Sequence, residues 1–167
     1  MYQVKELDWN GSYETIVVGI GAADTIEEGL DTLYNGRVKS LIQTADISTK
    51  TGEVSIVPTF EGSVKRVVFV GLGQRNDITT EQMRKWFGKV AKEVKTRGFA
   101  DVAIALETFG ASGELFAEAY ELATYEHPTY KSDPKSAVAD VTITLCGDID
   151  EAAVQRGAAR GRGVNIA

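Results

Sequence analysis

Two Gly-x-Gly runs close the most apolar stretches of the chain, Gly19-Ile20-Gly21 and Gly71-Leu72-Gly73. Glycine after a buried strand lets backbone N–H groups approach a phosphate at the start of the next helix. The dinucleotide fingerprint needs a third glycine three positions on, and those positions hold Asp24 and Asn76. The Lys-Ser/Thr pair of a P-loop is missing as well. Glycine is also the default for a tight turn, so both runs are read as structural turns after strands.

Other residue types that carry chemistry are sparse. His127 and Cys146 are each the sole residue of their kind, whereas zinc centres usually draw on several His or Cys ligands. Cys146 closes a strand with no base partner, so it reads as a small buried apolar residue rather than a nucleophile. Glu27, Glu28 and Asp31 cluster where a cation could bind, but an acidic face near the positive end of a helix accounts for them. Arg84, Lys85, Lys89, Lys92 and Lys95 form a basic face that could meet nucleic acid or a partner; its simplest reading is a solvated face. Ala153, Gly157 and Gly161 recur every four residues, with Arg156 and Arg160 beside them. Glycine in a helix costs about 1 kcal/mol relative to alanine, so close helix packing explains the stripe, with a poorly formed tail as the alternative. No catalytic, cofactor-binding or metal-ligating residue is assigned.

Short apolar strands alternate with amphipathic helices, the pattern of a single α/β domain. Strands are expected at Tyr2–Leu7, Thr15–Ile20, Val54–Val57, Arg66–Gly73, Val102–Leu106 and Val141–Cys146. Thr25 with Glu28 has capping-box spacing for a first helix, and a second short helix falls in Gly36–Gln43. Thr79 and Gln82 cap a helix reaching Arg97, with Met83, Trp86, Phe87, Val90, Ala91 and Val94 on one face and Gly98 as its stop. Its flanking strands read as parallel neighbours in a βαβ unit. Another helix covers Ser112–Tyr125, and a polar loop runs from His127 to Ser136. Asp148 with Glu151 starts a last helix, read as continuing to Ala167 without a glycine cap, as though cut rather than finished.

The 167 residues suffice for one domain with its own core. Lys and Arg number 18 against 24 Asp and Glu, a net charge of −6. That balance argues against nucleic-acid backbones and anionic membranes as partners. No apolar run is long enough to span a bilayer. The start of the chain lacks a secretory signal pattern, and a single cysteine suits a reducing cytoplasm.

Val64–Leu106, VKRVVFVGLGQRNDITTEQMRKWFGKVAKEVKTRGFADVAIAL, resembles the amino-terminal domain of the cytosolic leucyl aminopeptidases. Gly36–Val57 is similar to that family's short helix, turn and strand, with Thr51 of Lys50-Thr51-Gly52-Glu53 where proline is common. Thr124–Ser136 resembles its Tyr-x-Phe-x-x-Tyr-Lys-Ser loop, with His127 in place of the aromatic. Arg156–Ala167 resembles the helix leading into the catalytic domain. The resemblance implies a three-layer, macro-domain-like mixed β-sheet flanked by helices across residues 1–167. It implies a non-catalytic module that packs on its own carboxyl-terminal catalytic domain and supports a homo-hexamer. The two divalent metals, zinc or manganese, would lie in that following domain around an Asn-Thr-Asp-Ala-Glu-Gly-Arg-Leu run that this chain lacks. A macro-like module for nucleotides or ADP-ribose, and a regulatory nucleic-acid-binding domain, are the alternatives.

Overall fold

TIVVGI is apolar at every position but one, so it needs cover on both faces. The strand it forms, Thr15–Gly21, is buried at all seven residues. The structure, a computed structural model, describes residues 2–125, 141–147 and 149–163. His127, its loop to Ser136, Asp148 and residues 164–167 lie outside them. The strands in chain order are β1 (Tyr2–Lys5), β2 (Thr15–Gly21), β3 (Val54–Pro58), β4 (Arg66–Gly73), β5 (Asp101–Ala105) and β6 (Thr142–Cys146). The helices are α1 (Glu28–Thr32), α2 (Val38–Gln43), α3 (Thr80–Arg97), α4 (Leu106–Phe109), α5 (Gly113–Tyr125) and α6 (Glu151–Gly161).

The strands form one mixed sheet in the order β1-β6-β5-β2-β4-β3. All pairings are parallel except that of β3, an antiparallel edge strand. Its terminal Pro58 is tolerated because an edge strand has one free side. Successive side chains leave the sheet on opposite faces. Val17, Val68, Ile104 and Leu145 therefore pack with α3, α5 and α6. Ile16, Val18, Phe69 and Ala103 pack with Leu30, Leu33, Tyr34 and Val38 on the other side. This is the expected three-layer arrangement.

Helix α3 follows its sequence signals closely. Gln82 N–H donates to Thr79 Oγ1 at 3.2 Å, and the Thr79 N–H donates to Gln82 Oε1 at 2.9 Å. Gly98 ends the helix in the left-handed region at φ 68°. Trp86, Phe87, Val90 and Val94 are buried on the sheet. Phe87 meets Phe109 and Phe116 edge-on at 5.2 and 4.9 Å between ring centres, a geometry aromatic quadrupoles favour.

Several expectations are corrected. β4 and β5 are not neighbours: β2 lies between them and pairs in parallel with both. A βαβ pattern sets relative direction, but the most apolar strand takes the centre, where both of its edges are covered. The Gly-x-Gly runs lie within β2 and β4 rather than in turns after them. Thr25 does not cap α1; the helix begins at Glu28 with Glu27 at its N-cap and no side-chain cap, because Asp24 holds the preceding segment to the end of β2. Asn35 and Gly36 have φ of 56° and 75°, so α2 begins only at Val38. β5 ends at Ala105, and Leu106 opens the short α4 instead of closing the strand. β1 ends at Lys5, which frees Leu7. Helix α6 is capped by Asp150, whose carboxylate accepts from Ala152 N–H at 2.9 Å. It ends at Gly161, and Gly163 beyond it is left-handed at φ 71°; the helix therefore does have a glycine stop.

Candidate functional site

Pairing between β2 and β5 stops at Val17 and Ile104, whereas β2 stays paired with β4 as far as Gly21. After β2 the chain stays on the β4 side, where Ala22 N–H donates to Gly73 O at 2.9 Å, and α4 follows β5 directly. The unpaired carboxyl ends of β2 and β5 leave a crevice, the usual ligand position of open α/β sheets. Here that crevice encloses about 870 Å³, within the range of small-molecule sites.

Each wall has a local origin. Val18, Gly19 and Ile20 of β2 form the floor. Glu107 and Thr108 come from α4, Gly147 from the end of β6, and Glu6, Leu7 and Trp9 from the segment after β1. The Thr108 hydroxyl donates to Ala105 O at 2.6 Å and accepts from Gly19 N–H at 2.8 Å, which fastens α4 across the gap. The Trp9 indole lies on the backbone of Gly29, where a Cβ would come within 2.0 Å of Cδ1. Leu7, Trp9 and Ile26 remain only half-buried.

Asp24 occupies the position where the fingerprint has its third glycine. Its Oδ2 accepts from Gly21 N–H at 2.8 Å. Arg75 grips the same carboxylate with both Nε and Nη2 at 2.6 Å. The Arg75 hydrogen bond holds the Asp24 carboxyl below its ordinary range, and the backbone bond adds to it. On β4, Gly71 N–H donates to Glu53 O and Gly73 N–H to Thr49 O, both at 2.8 Å. A Cβ on Gly71 would lie 2.0 Å from Lys50 O. The amides of Gly19, Gly21, Gly71 and Gly73 are thus all engaged within the chain. The glycines serve close backbone approach and leave no cradle for a phosphate.

The other candidate residues are dispersed. Cys146 is buried, and burial pushes its thiol up to about 11, away from a reactive thiolate. Asp31 turns to accept from Val38 N–H at 3.1 Å, whereas Glu27 lines the crevice, so the acidic cluster is not brought together. Among the described residues, no group of three or more His, Cys, Asp or Glu could hold a metal ion. Arg84 pairs with Glu118 of α5 at 3.1 Å, and Lys89 Nζ donates to Gly52 O at 2.7 Å, which leaves Lys85 and Lys92 among the exposed cations of that face. The glycine stripe of α6 has a packing role: a Cβ on Gly157 or Gly161 would meet Glu114 O or Glu118 O at 2.2 or 2.3 Å. Arg160 bridges Glu114 and Glu118 above that contact. Among the described residues, no helix is long and apolar enough to cross a membrane.

The crevice itself escaped sequence reasoning. Its walls come from stretches far apart in the chain, Glu6 with Trp9, Arg75, and Glu107 with Thr108; only Gly29 inside a helix, and Asp24 in place of glycine, hinted that something packs there.

Comparison with known proteins gives consistent results. The model of the cytosol aminopeptidase family, N-terminal domain, matches residues 17–134. A probable cytosol aminopeptidase of Exiguobacterium sibiricum is 40% identical over 163 residues, covering 97% of this chain and 34% of that protein. The chain thus spans about a third of that relative's length. Among solved structures, a tomato leucine aminopeptidase mutant superposes with a TM-score of 0.71 at 18% identity, over 98% of this chain and 35% of that one. A Trypanosoma brucei macrodomain in complex with ADP gives a TM-score of 0.60 at 10% identity, over 96% and 67% of the two chains. At these identities the structural matches speak to the fold, which is macrodomain-like.

Proposed function

The chain belongs to the cytosol aminopeptidase family, as its N-terminal domain, and on that premise we propose that it is the non-catalytic module of a longer metal-dependent aminopeptidase. The observation that carries this reading is the match to the Exiguobacterium sibiricum relative, near-complete on this side and 34% on the other. The remaining two-thirds would hold the catalytic residues and two zinc or manganese ions. Such ions generate a nucleophilic water and stabilise the developing oxyanion. The described residues here offer no converging ligand set, so no catalytic step is assigned to them. Their role is architectural: to pack on the catalytic domain, support a cytosolic homo-hexamer and shape access to its active sites.

The test is expression of this chain beside the full reading frame that contains it. The chain alone should not turn over leucine-p-nitroanilide with added manganese or zinc. The longer protein should do so, and should elute as a hexamer. Turnover by the chain alone, or an inactive or monomeric longer protein, would overturn the proposal.

The macrodomain-like fold, shared with a protein crystallised with ADP, supports nucleotide binding as a second reading. The engaged glycine amides weigh against it. Thermal melting with ADP-ribose, NAD or ATP separates the two, since a ligand of the native state must raise its stability. No shift is expected.

A further inference from the structure

We infer that the crevice between the carboxyl ends of β2 and β5 binds an organic ammonium group carried on an apolar body. Three properties of the cavity lead there. The first is uncovered apolar surface in a concave place. Leu7, Trp9 and Ile26 line it and remain only half-buried, and water held against such walls is readily displaced by an apolar group. The second is that the seat is preformed. Gly29 lets the indole lie directly on the α1 backbone, and the Thr108 hydroxyl ties α4 to β2, so little ordering is needed when a ligand enters.

The third property sets the ligand's charge. Glu6, Glu27 and Glu107 line the crevice from three separate segments, all three are exposed, and none is paired with a cation among the described residues. The cation in the lining, Arg75, is held by both carboxylate oxygens of Asp24. A phosphate would meet net negative charge and no free glycine amide. A bare metal ion would find no three ligands converging on one point among the described residues. An extended cation can place its ammonium at the acidic rim and its hydrocarbon on the Trp9 wall.

Calorimetric titration of the 167-residue chain with n-hexylammonium, n-hexanol and ADP tests the assignment. Hexylammonium should bind one to one, and its affinity should fall as salt rises from about 10 to about 300 mM, because rim charges are screened. The double variant Glu27→Gln/Glu107→Gln should bind at least about fivefold more weakly with an unchanged melting temperature, since both side chains are exposed. Hexanol and ADP should give no saturable heat. Hexanol binding as tightly as hexylammonium would reduce the crevice to an apolar groove. ADP binding would make it a nucleotide site. Either result, salt-independent binding, an unaffected double variant or no binding at all would overturn the inference. ADP binding would also favour the nucleotide-binding reading; the other outcomes leave the aminopeptidase assignment to its own test of turnover and assembly.

Discussion

Glu121 is only 3% exposed, and its Oε1 accepts from Tyr2 Oη and from Arg162 Nη1, each at 3.2 Å. Burial pushes its carboxyl above the ordinary value, while Arg162 and the Tyr2 hydrogen bond pull it partly back. A carboxyl raised in the folded state binds more protons folded than unfolded. Its contribution is therefore fullest below the unfolded pKa and is lost as pH rises through the folded one. Removing the guanidinium raises the folded value further. Arg162→Met should destabilise the chain by about 2 kcal/mol at pH near 8, less than for a fully buried pair because Arg162 is a third exposed. The loss should shrink as pH is lowered toward about 5, because a carboxyl raised by burial takes up its proton sooner than an ordinary one. Urea denaturation at the two pH values checks this; an equal loss at both would show that Glu121 is not the charge responsible.

At the scale of elements, the α5–α6 contact depends on absent side chains. Gly157 lies so close to α5 that a Cβ would sit 2.2 Å from Glu114 O. Gly157→Ala gains about 1 kcal/mol of helix propensity, but must push the helices apart against a well-packed core, which costs about 1–3 kcal/mol or more. A fall in melting temperature of about 3–8 °C is expected for a chain of this size. Gly88 in α3 is the control, because a Cβ there would find nothing nearer than the Ala123 Cβ at 3.8 Å. Gly88→Ala should raise stability by up to about 1 kcal/mol. Calorimetric melting of both variants decides; a stabilised Gly157→Ala would mean that α6 is not seated as described.

For the whole molecule, the order of the sheet predicts the order of opening. β2 is buried throughout and flanked on both sides, whereas β1 and β3 are the edge strands of the sheet among the described residues. Amides of β2 and β4 that pair with one another, such as those around Val17 and Val68, should exchange only by global unfolding. Those of the four-residue β1 should exchange faster through local opening. Native-state hydrogen exchange read by mass spectrometry tests this; β1 exchanging as slowly as β2 would contradict the topology.

Local physical chemistry made much of the fold legible. The Thr79–Gln82 capping box, the spacing of Trp86, Phe87, Val90 and Val94, and Gly98 determined α3 almost to the residue, because caps and helical periodicity act within one turn. Unbroken apolar runs marked β2 and β4 as buried strands, and ordered similarity along the chain identified the family. Only the tertiary structure placed β2 between β4 and β5, since a βαβ pattern fixes direction and leaves open which strand fills the gap. The same holds for Asp24. Nothing local to Gly21-x-x-Asp24 announces Arg75, 51 residues away, yet that guanidinium and the Gly21 amide together hold the carboxylate. The crevice joins segments after β1, β2, β4, β5 and β6. A cavity made of what five chain segments leave unfilled has no sequence signature, because it is defined by the distances between elements and not by the residues within any one of them.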